Sequence, residues 1–443
     1  MRNLHRLARL SLVVVGTLAA CGGTTEGTNT GNPAAGGTGT DGGAPTTGSD
    51  AGTPTADAQA DAPVMGTDTY PAPHHPLPML KPLGGPVIKN VKIVTVTYTG
   101  ETQRDALRTF DDQIVNGTWW TTVTQGYGVN AGTSGGHVEL DPTPVANKTI
   151  DNDTDLKPYI QGLITAGTLP APDANTLYAM YFPAGTTVTL TQAGMVAQSC
   201  MDFGAYHDSG VFTSQGAMVE AAFAVMPNCG RGGRTVSASH EFIEAVTDPH
   251  PQSMTAWYAY NDAWFPPGGG EIADLCENGA SAVDANGNNV AKAWSNAAAA
   301  ASKDPCVPSD PNGVYYGAAV DTTETFTMHD PTGGPDYPTE GFISVTAGAS
   351  KTVPVDVFSQ AKLPHDLTIV ASKGQRGGDP NLSTPITTGV TATLSGSTAR
   401  NGTKLTLTIT TTAAAPKGDH AFVVRAIMSK TDFHSWPVIL RVL

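Results

Sequence analysis

One segment of this sequence combines residue types and spacing that suit metal binding. The stretch from Ser237 to His250 contains His240, Glu241 and Glu244 in the pattern HExxE. Residues four apart on a helix share one face, so His240 and Glu244 can reach the same cation. In the related pattern HExxH, two histidines bind zinc and the glutamate between them activates water for peptide hydrolysis. The pattern therefore predicts a divalent-metal site, with Glu241 as the catalytic base of a zinc-dependent peptidase.

A glutamate, Glu244, stands where HExxH has its second histidine. Two carboxylate ligands cancel the charge of a divalent zinc ion, and a less positive ion polarises water less. A shell rich in oxygen also suits Ca²⁺ better than Zn²⁺. The alternative is therefore a non-catalytic cell-surface binding or adhesion module with a structural cation. Taken alone, HExxE is also compatible with an ordinary amphipathic helix.

Two downstream segments follow this helix in a recognisable order. HEFIEAVTDP is followed by AWYAYND and then by GEIADLC, which carries Glu271 and Asp274. This order resembles the plant Exordium-like, phosphate-induced protein family and its bacterial relatives, as do YHDSGVF and AFAVMPNC. The resemblance covers about Val91 to Cys306. It implies an extracellular protein but no activity, since that family has no settled catalytic role.

The same resemblance implies which residues form the site. His240, Glu241 and Glu244 fall in its first block, and Glu271 and Asp274 fall in its last. Because a carboxylate from a later segment completes the metal shell of gluzincin-type sites, we expect Glu271 to be the third ligand. Asp274 is an alternative.

A further alternative for the third ligand is His250, ten residues after His240, as in HExxHxxGxxH. Thr247 replaces the glycine of that pattern and Pro249 intervenes, so we expect a surface histidine.

Other polar residues favour structural roles. His207 and His137 could contact a substrate or support a ligand, but a lone histidine is more often structural. Tyr258 and Tyr260 could donate hydrogen bonds to an oxyanion, although aromatic packing is the simpler interpretation. The one GxSxG match, GTSGG at Gly132–Gly136, leads into the predicted strand GGHVEL and not into a helix, so it is no nucleophile elbow and a serine hydrolase is not supported.

The N-terminus predicts export and a lipid anchor. Residues 1–20 contain a basic start, a short apolar run and small residues directly before Cys21. This arrangement resembles a bacterial lipoprotein signal peptide, which implies cleavage before Cys21 and attachment of lipid there. The mature protein would then be anchored to the outer membrane or the cell membrane, facing outside the cytoplasm. An ordinary cleaved secretion signal is the alternative, and both interpretations export the protein.

Composition and charge restrict the partners. Residues 21–86 are predicted to be a disordered tether, because Gly, Thr, Pro and Asp predominate there and few large apolar residues occur. The formal net charge of −15 argues against nucleic acid as a partner, since phosphate binding needs a basic surface. A peptide or cell-wall substrate remains compatible.

Four cysteines remain once Cys21 carries lipid: Cys200, Cys229, Cys276 and Cys306. In an exported protein an even number favours two disulfides, and nearest-neighbour pairing is the simplest of three connectivities. A zinc–thiolate cluster is disfavoured because no short CxxC spacing occurs.

Periodicity predicts an α+β fold in two folded parts. Residues 87–315 alternate strands and helices, which predicts a zincin-like mixed-sheet domain whose active-site helix carries HExxE and ends before Pro249. Residues 321–443 contain seven short alternating segments, which predict an antiparallel β-sandwich resembling bacterial immunoglobulin-like domains.

Overall fold

The structure is a computed structural model that describes residues 66–192, 195–230, 233–264, 270–276, 281–328, 336–374 and 386–443. These residues all belong to one compact unit. The predicted signal peptide, Cys21 and the first part of the predicted tether lie outside the described residues. No helix among the described residues is long and apolar enough to cross a membrane.

The first region, up to residue 315, combines helices with short and long strands. Its strands are β1 Lys81–Pro82, β2 Lys92–Tyr98, β3 Thr133–Leu140, β4 Thr149–Asp151, β5 Thr176–Tyr181, β6 Thr187–Gln192, β7 Met195–Gln198, β8 Tyr206–Ser214, β9 Ala217–Met226, β10 Trp257–Tyr258, β11 Ala282–Val283, β12 Asn289–Val290, β13 Ala293–Trp294 and β14 Cys306–Val307. Its helices are α1 Arg104–Ile114, α2 Thr118–Val123, α3 Lys157–Thr165, α4 Arg234–Thr247 and α5 Asn296–Ala300, with a π-helix at Asn152–Leu156 and a 3₁₀ helix at Asp274–Cys276.

A five-stranded mixed sheet forms the centre of this region, in the order β3-β2-β5-β9-β8. The first four strands are parallel, and β8 runs antiparallel to β9 at one edge. Side chains alternate along β2, so Ile93 packs with α1 and α4 while Val94 packs with α3 on the opposite face. The helices therefore cover both faces of the sheet.

A tight hairpin joins β8 to β9 and sets the register of the edge strand. Gln215 and Gly216 form its turn with φ of 51° and 81°, the left-handed values of a two-residue hairpin turn. In this register His207 of β8 lies opposite Ala224 of β9. The predictions left His207 outside any element, and the hairpin places it on the edge strand.

Helix α4 follows β9 after the glycine-rich sequence CGRGG. Gly233 adopts φ 113° at the N-cap, a conformation that favours glycine. The first helical residue, Arg234, donates hydrogen bonds to the carbonyls of Phe182 and Met226, which follow or end β5 and β9. The helix ends at Thr247, as the following Asp248–Pro249 predicts. Arg234 thus anchors the start of the HExxE helix to the ends of two central strands.

The second region is a two-sheet β-structure. Its strands are β15 Tyr316–Val320, β16 Glu324–Met328, β17 Tyr337–Val345, β18 Ser350–Ser359, β19 Leu367–Lys373, β20 Val390–Leu394, β21 Thr398–Ala399, β22 Lys404–Thr411, β23 Gly418–Ile427 and β24 Phe433–Val442. One sheet has the order β15-β18-β22-β20, the other β16-β17-β24-β23-β19-β21. All seven predicted segments are strands, and apolar side chains of both sheets share one core.

Two expectations about this part of the chain need correction. The pair β17–β24 is parallel, so the sandwich is not purely antiparallel. Strand β15 already pairs with β18 from Tyr316, so the sandwich includes residues before 321. Its short apolar sequence YGAAV lacks the alternation that identified the other strands, because all five of its residues are buried.

The predicted tether also ends earlier than residue 86. From residue 66 the chain is extended and packs on the folded regions, with Ala72, Leu77 and Leu80 buried. The side chain of Asn401 accepts a hydrogen bond from the Ala72 amide and donates to the carbonyl of Thr67. Proline-rich sequence here lacks regular hydrogen bonding of its own, but its apolar side chains still find a core.

Candidate metal centre

The HExxE helix brings two of its predicted ligands together. His240 Nε2 lies 3.2 Å from Glu244 Oε1, as expected for side chains one turn apart on a helix face. His240 is the more exposed of the two, with 18% of its side chain accessible, whereas Glu244 is fully buried at 2%. The local spacing alone is sufficient to form this pair.

The segment from Glu271 to Cys276 supplies a third group to this pair. Asp274 Oδ1 lies 3.3 Å from His240 Nε2. The backbone amides of Ala273 and Asp274 donate hydrogen bonds to Glu244 Oε1 over 3.3 and 3.1 Å, which fixes the segment against the helix. Ligands about 2.0–2.2 Å from one tetrahedral zinc ion lie about 3.3–3.6 Å apart, so the two distances from His240 are close to those of a shared cation.

His207 reaches the same centre from the edge strand β8. Its Nδ1 lies 3.5 Å from Glu241 Oε2 and 3.7 Å from Glu244 Oε2, and its Nε2 lies 3.5 Å from Glu271 Oε1. Glu271, the predicted third ligand, therefore faces His207. Asp274, the predicted alternative, faces His240.

Three buried carboxylate oxygens at the centre make no hydrogen bond with any residue that the structure describes. They are Oε1 of Glu271, Oδ1 of Asp274 and Oδ2 of Asp248. Each of these residues is at most 4% exposed. A buried carboxylate oxygen without a donor is costly, because desolvation is not repaid by another interaction. The donor set, two imidazoles and carboxylates with open lone pairs, fits a divalent cation.

The electrostatics of the two imidazoles point the same way. Burial by itself lowers the pKa of His207, but Glu271, Glu241 and Glu244 outweigh it and raise that pKa well above 6.5. Burial also lowers the pKa of His240, but Glu244 is the largest of the effects that outweigh burial and raise this pKa well above 6.5. Both sites therefore attract positive charge strongly.

The carboxyl groups show the complementary effect. Burial raises the pKa of Glu244 to about 7, with repulsion from Asp274 adding to the shift. Burial likewise raises the pKa of Asp248 to about 7 and that of Glu271 well above 4.5. Burial thus disfavours the charged form of these carboxyl groups when no cation is bound.

The remaining sequence candidates lie apart from the unpartnered oxygens. His250 Nδ1 lies 3.6 Å from Glu220 Oε1. His137 pairs with Asp112 at 3.0 Å on the surface. The rings of Tyr258 and Tyr260 pack against each other with centroids 5.1 Å apart. Sequence reasoning therefore undervalued His207, although the turn-like Gln-Gly dipeptide between YHDSGVF and the next strand could have signalled the hairpin that carries it.

The structure contains two disulfides, and one of them adjoins the centre. Cys200 pairs with Cys229 and Cys276 pairs with Cys306, which confirms the nearest-neighbour pairing. The first joins the chain before β8 to the chain before α4. The second begins two residues after Asp274 and fastens this segment to β14.

The sandwich contacts the loop that leads to Glu271. Thr339 of β17 donates a hydrogen bond to Asp262 Oδ1 at 2.8 Å and accepts one from the Asp262 amide. Trp264 packs edge-on against Trp436 of β24, with ring centroids 5.4 Å apart. The sandwich therefore helps to position one side of the centre.

Comparison with known proteins identifies no family. No protein-family model matches the chain. No curated protein matches it either. Among solved structures, domains 4 and 5 of the S-layer protein SbsC match with a TM-score of 0.17 and 14% identity, over 39% of this chain and 95% of that one. The structure of SbsC residues 31–844 also gives a TM-score of 0.17, with 13% identity over 58% of this chain and 37% of that one. At such TM-scores these likenesses carry no argument.

Proposed function

We propose that this protein is an exported surface protein that binds a divalent cation through His240, Glu244 and Asp274. The observation that carries the proposal is the pair of short distances from His240 Nε2 to the two carboxylates, together with the unpartnered Oδ1 of Asp274. The two disulfides support an oxidising compartment outside the cytoplasm.

Zinc is the first candidate for the cation. An imidazole nitrogen among the ligands favours zinc over calcium, which prefers oxygen ligands. When bound, zinc would supply a Lewis acid that polarises a carbonyl group. The backbone amides of Ala273 and Asp274 hold Glu244 in place as a ligand for the cation.

The activity we propose on this centre is hydrolysis of peptide bonds in a peptide or cell-wall substrate. Glu241 follows His240 on the helix. Its carboxylate would be the general base, with Oε2 accepting the proton. A mixed sheet whose antiparallel edge strand neighbours the HExxE helix supports a zincin-like architecture. This parallel concerns architecture only. We also propose the Exordium-like relationship, which is supported by the HEFIE and GEIADLC segments lying side by side.

The burial of the centre favours a second candidate function. Catalytic zinc sites keep an open coordination position, whereas structural sites are closed. Glu241, Glu244 and Asp274 are all buried, and His240 is the partly accessible member. A structural cation in a non-catalytic surface or adhesion module therefore competes with the peptidase.

One variant distinguishes the two functions. Glu241→Gln removes the proton acceptor but keeps the shape of the side chain, and Glu340→Gln on the exposed surface is its matched control. The peptidase predicts cation bound to wild type and both variants, with proteolysis of a denatured protein substrate lost in Glu241→Gln alone. Bound cation with no proteolysis in wild type supports the structural role. A folded wild-type chain that binds no divalent cation would contradict both.

The lipid anchor is a separate proposal that concerns Cys21. Replacement of Cys21 by serine removes the thiol to which lipid would be attached. We expect the variant to leave the membrane fraction, while wild type stays there. Equal membrane attachment of the two forms would exclude lipidation at this residue.

A further inference from the structure

We propose that the centre holds two divalent cations, with Glu244 bridging them and His207 and Glu271 binding the second. This proposal rests on the proposed function, because the first cation is the one between His240, Glu244 and Asp274. The ligand atoms of His207, Glu244 and Glu271 all lie within 4.8 Å of one another, and all three residues are buried. Nothing in the sequence pattern assigns His207 to a metal.

Glu244 is placed as a bridge requires. Its Oε1 lies 3.2 Å from His240 Nε2, and its Oε2 lies 3.7 Å from His207 Nδ1. The two oxygens of one carboxylate therefore face two different imidazoles. In two-metal sites the ions lie about 3.5–4 Å apart, a spacing that a bridging carboxylate supports.

The orientation of His207 suits a metal ligand. Its Nε2 lies 3.1 Å from the carbonyl oxygen of Asp248, which can only accept, so Nε2 carries the proton. Metal-binding histidines commonly donate their other N–H to a carbonyl in this way. The remaining nitrogen, Nδ1, faces the carboxylates of Glu241 and Glu244 and would bind the cation in its deprotonated form.

An orphaned oxygen marks the second position independently. Glu271 is only 4% exposed, and its Oε1 makes no hydrogen bond with any residue that the structure describes. The first cation, between His240 and Asp274, does not account for this oxygen. A second cation does.

The number of donor groups in the cluster is consistent with two cations. Five buried carboxylates surround two imidazoles: Glu241, Glu244, Asp248, Glu271 and Asp274. Two cations that share Glu244 would each have an imidazole and at least two of these carboxylates as ligands.

Counting cations on the full-length protein tests the proposal. The protein is stripped with a chelator, reloaded with Mn²⁺ or Zn²⁺, dialysed and analysed for metal per chain. We expect two cations per chain and, for Mn²⁺, the electron paramagnetic resonance spectrum of an exchange-coupled pair. His207→Asn should retain one cation and lose the coupling, whereas the matched control His250→Asn should retain two and keep it.

The outcomes separate this proposal from the proposed function. One cation per chain in wild type would overturn the second site and leave the first, while no cation would overturn both. Two cations in His207→Asn would show that His207 is a protonated partner of the carboxylates and not a ligand. If His207→Asn does not fold, Glu271→Gln serves instead, because it keeps the shape of the side chain. We expect it to retain one cation, and retention of two would overturn the assignment.

Discussion

The candidate metal centre and the sandwich differ in how they bury charge. In the sandwich, the fully buried Arg425 donates hydrogen bonds to Ser372 Oγ at 2.7 Å and to Ser435 Oγ at 3.2 Å. In the centre, Glu271 and Asp274 are equally buried, and each keeps one oxygen without a donor. Arg425 therefore has hydrogen-bond partners among the described residues, whereas Glu271 and Asp274 each keep an oxygen that a ligand could complete.

This difference suggests where each region obtains its stability. Consistent local and tertiary preferences are expected throughout a fold, and the exceptions concentrate at functional sites. We therefore expect the stability of the α+β region to depend on bound cation and that of the sandwich core to be independent of it. Four predictions test this contrast, in order of decreasing effect.

Replacement of Glu244 by alanine should have the largest effect. Both of its oxygens face imidazoles, so we expect no measurable binding of Zn²⁺, a loss larger than the about 10–100-fold caused by removing an outer-shell partner. A chelator should lower the melting temperature of wild type but not that of Glu244→Ala, because a ligand stabilises only a state that binds it. Calorimetric titration measures the affinity, with Glu340→Ala as control. Unchanged zinc affinity in Glu244→Ala would refute the centre.

Removal of the Cys276–Cys306 disulfide should have the next largest effect. The two disulfides span 30 and 29 residues, so loop entropy predicts a similar loss of about 3–4 kcal/mol for each Cys-to-Ser pair. Only Cys276–Cys306 adjoins Asp274. Its removal should therefore also weaken cation binding more than removal of Cys200–Cys229 does. Equal losses of affinity would mean that neither disulfide positions the ligands specifically.

Replacement of Arg425 by alanine should destabilise the sandwich core without affecting the cation. Loss of hydrogen bonds from a buried charged group predicts a decrease of about 2–3 kcal/mol in the free energy of unfolding. Denaturant titration with and without chelator measures it, and exposed Lys417→Ala is the control. A chelator-dependent loss in Arg425→Ala would show that the two regions are not independent in this respect.

Asp111 is a buried carboxylate whose two oxygens both accept hydrogen bonds, in contrast to Glu271 and Asp274. Tyr181 and Thr95 donate hydrogen bonds to it, yet burial raises its pKa from 3.8 to about 7. Its contribution to stability is therefore complete below pH 3.8 and is lost as the pH rises through 7. Relative to Asp111→Asn, with the cation saturated, wild type should lose about 1 kcal/mol per pH unit between pH 5 and 7. Parallel stability curves would show that Asp111 is ionised throughout.

Much of the fold follows from local patterns. Alternation identified the seven main segments of the sandwich, and helical spacing identified α1 and α4, because exposed and buried faces impose a period on the sequence. Strand β15 was missed because it is buried on both sides. The parallel pair β17–β24 could not be read either, since pairing direction depends on contacts between distant segments.

The candidate site divides in the same way. His240 and Glu244 approach each other through helix geometry alone, so their pairing could be predicted. Whether Glu271 or Asp274 would face His240 could not be decided, because both lie in one short turn and a small rotation of that turn exchanges them. The tertiary structure places Asp274 toward His240 and Glu271 toward His207.

The sequence by itself determined the HExxE helix face and the β-rich character of the second half, because both depend on neighbours along the chain. It favoured nearest-neighbour disulfides among three connectivities, and the tertiary structure decided between them. Only the tertiary structure decided that His207, from an edge strand, enters the centre and that the sandwich supports the loop before Glu271. Such contacts join segments far apart in the chain, and their geometry is set by sheet register and packing.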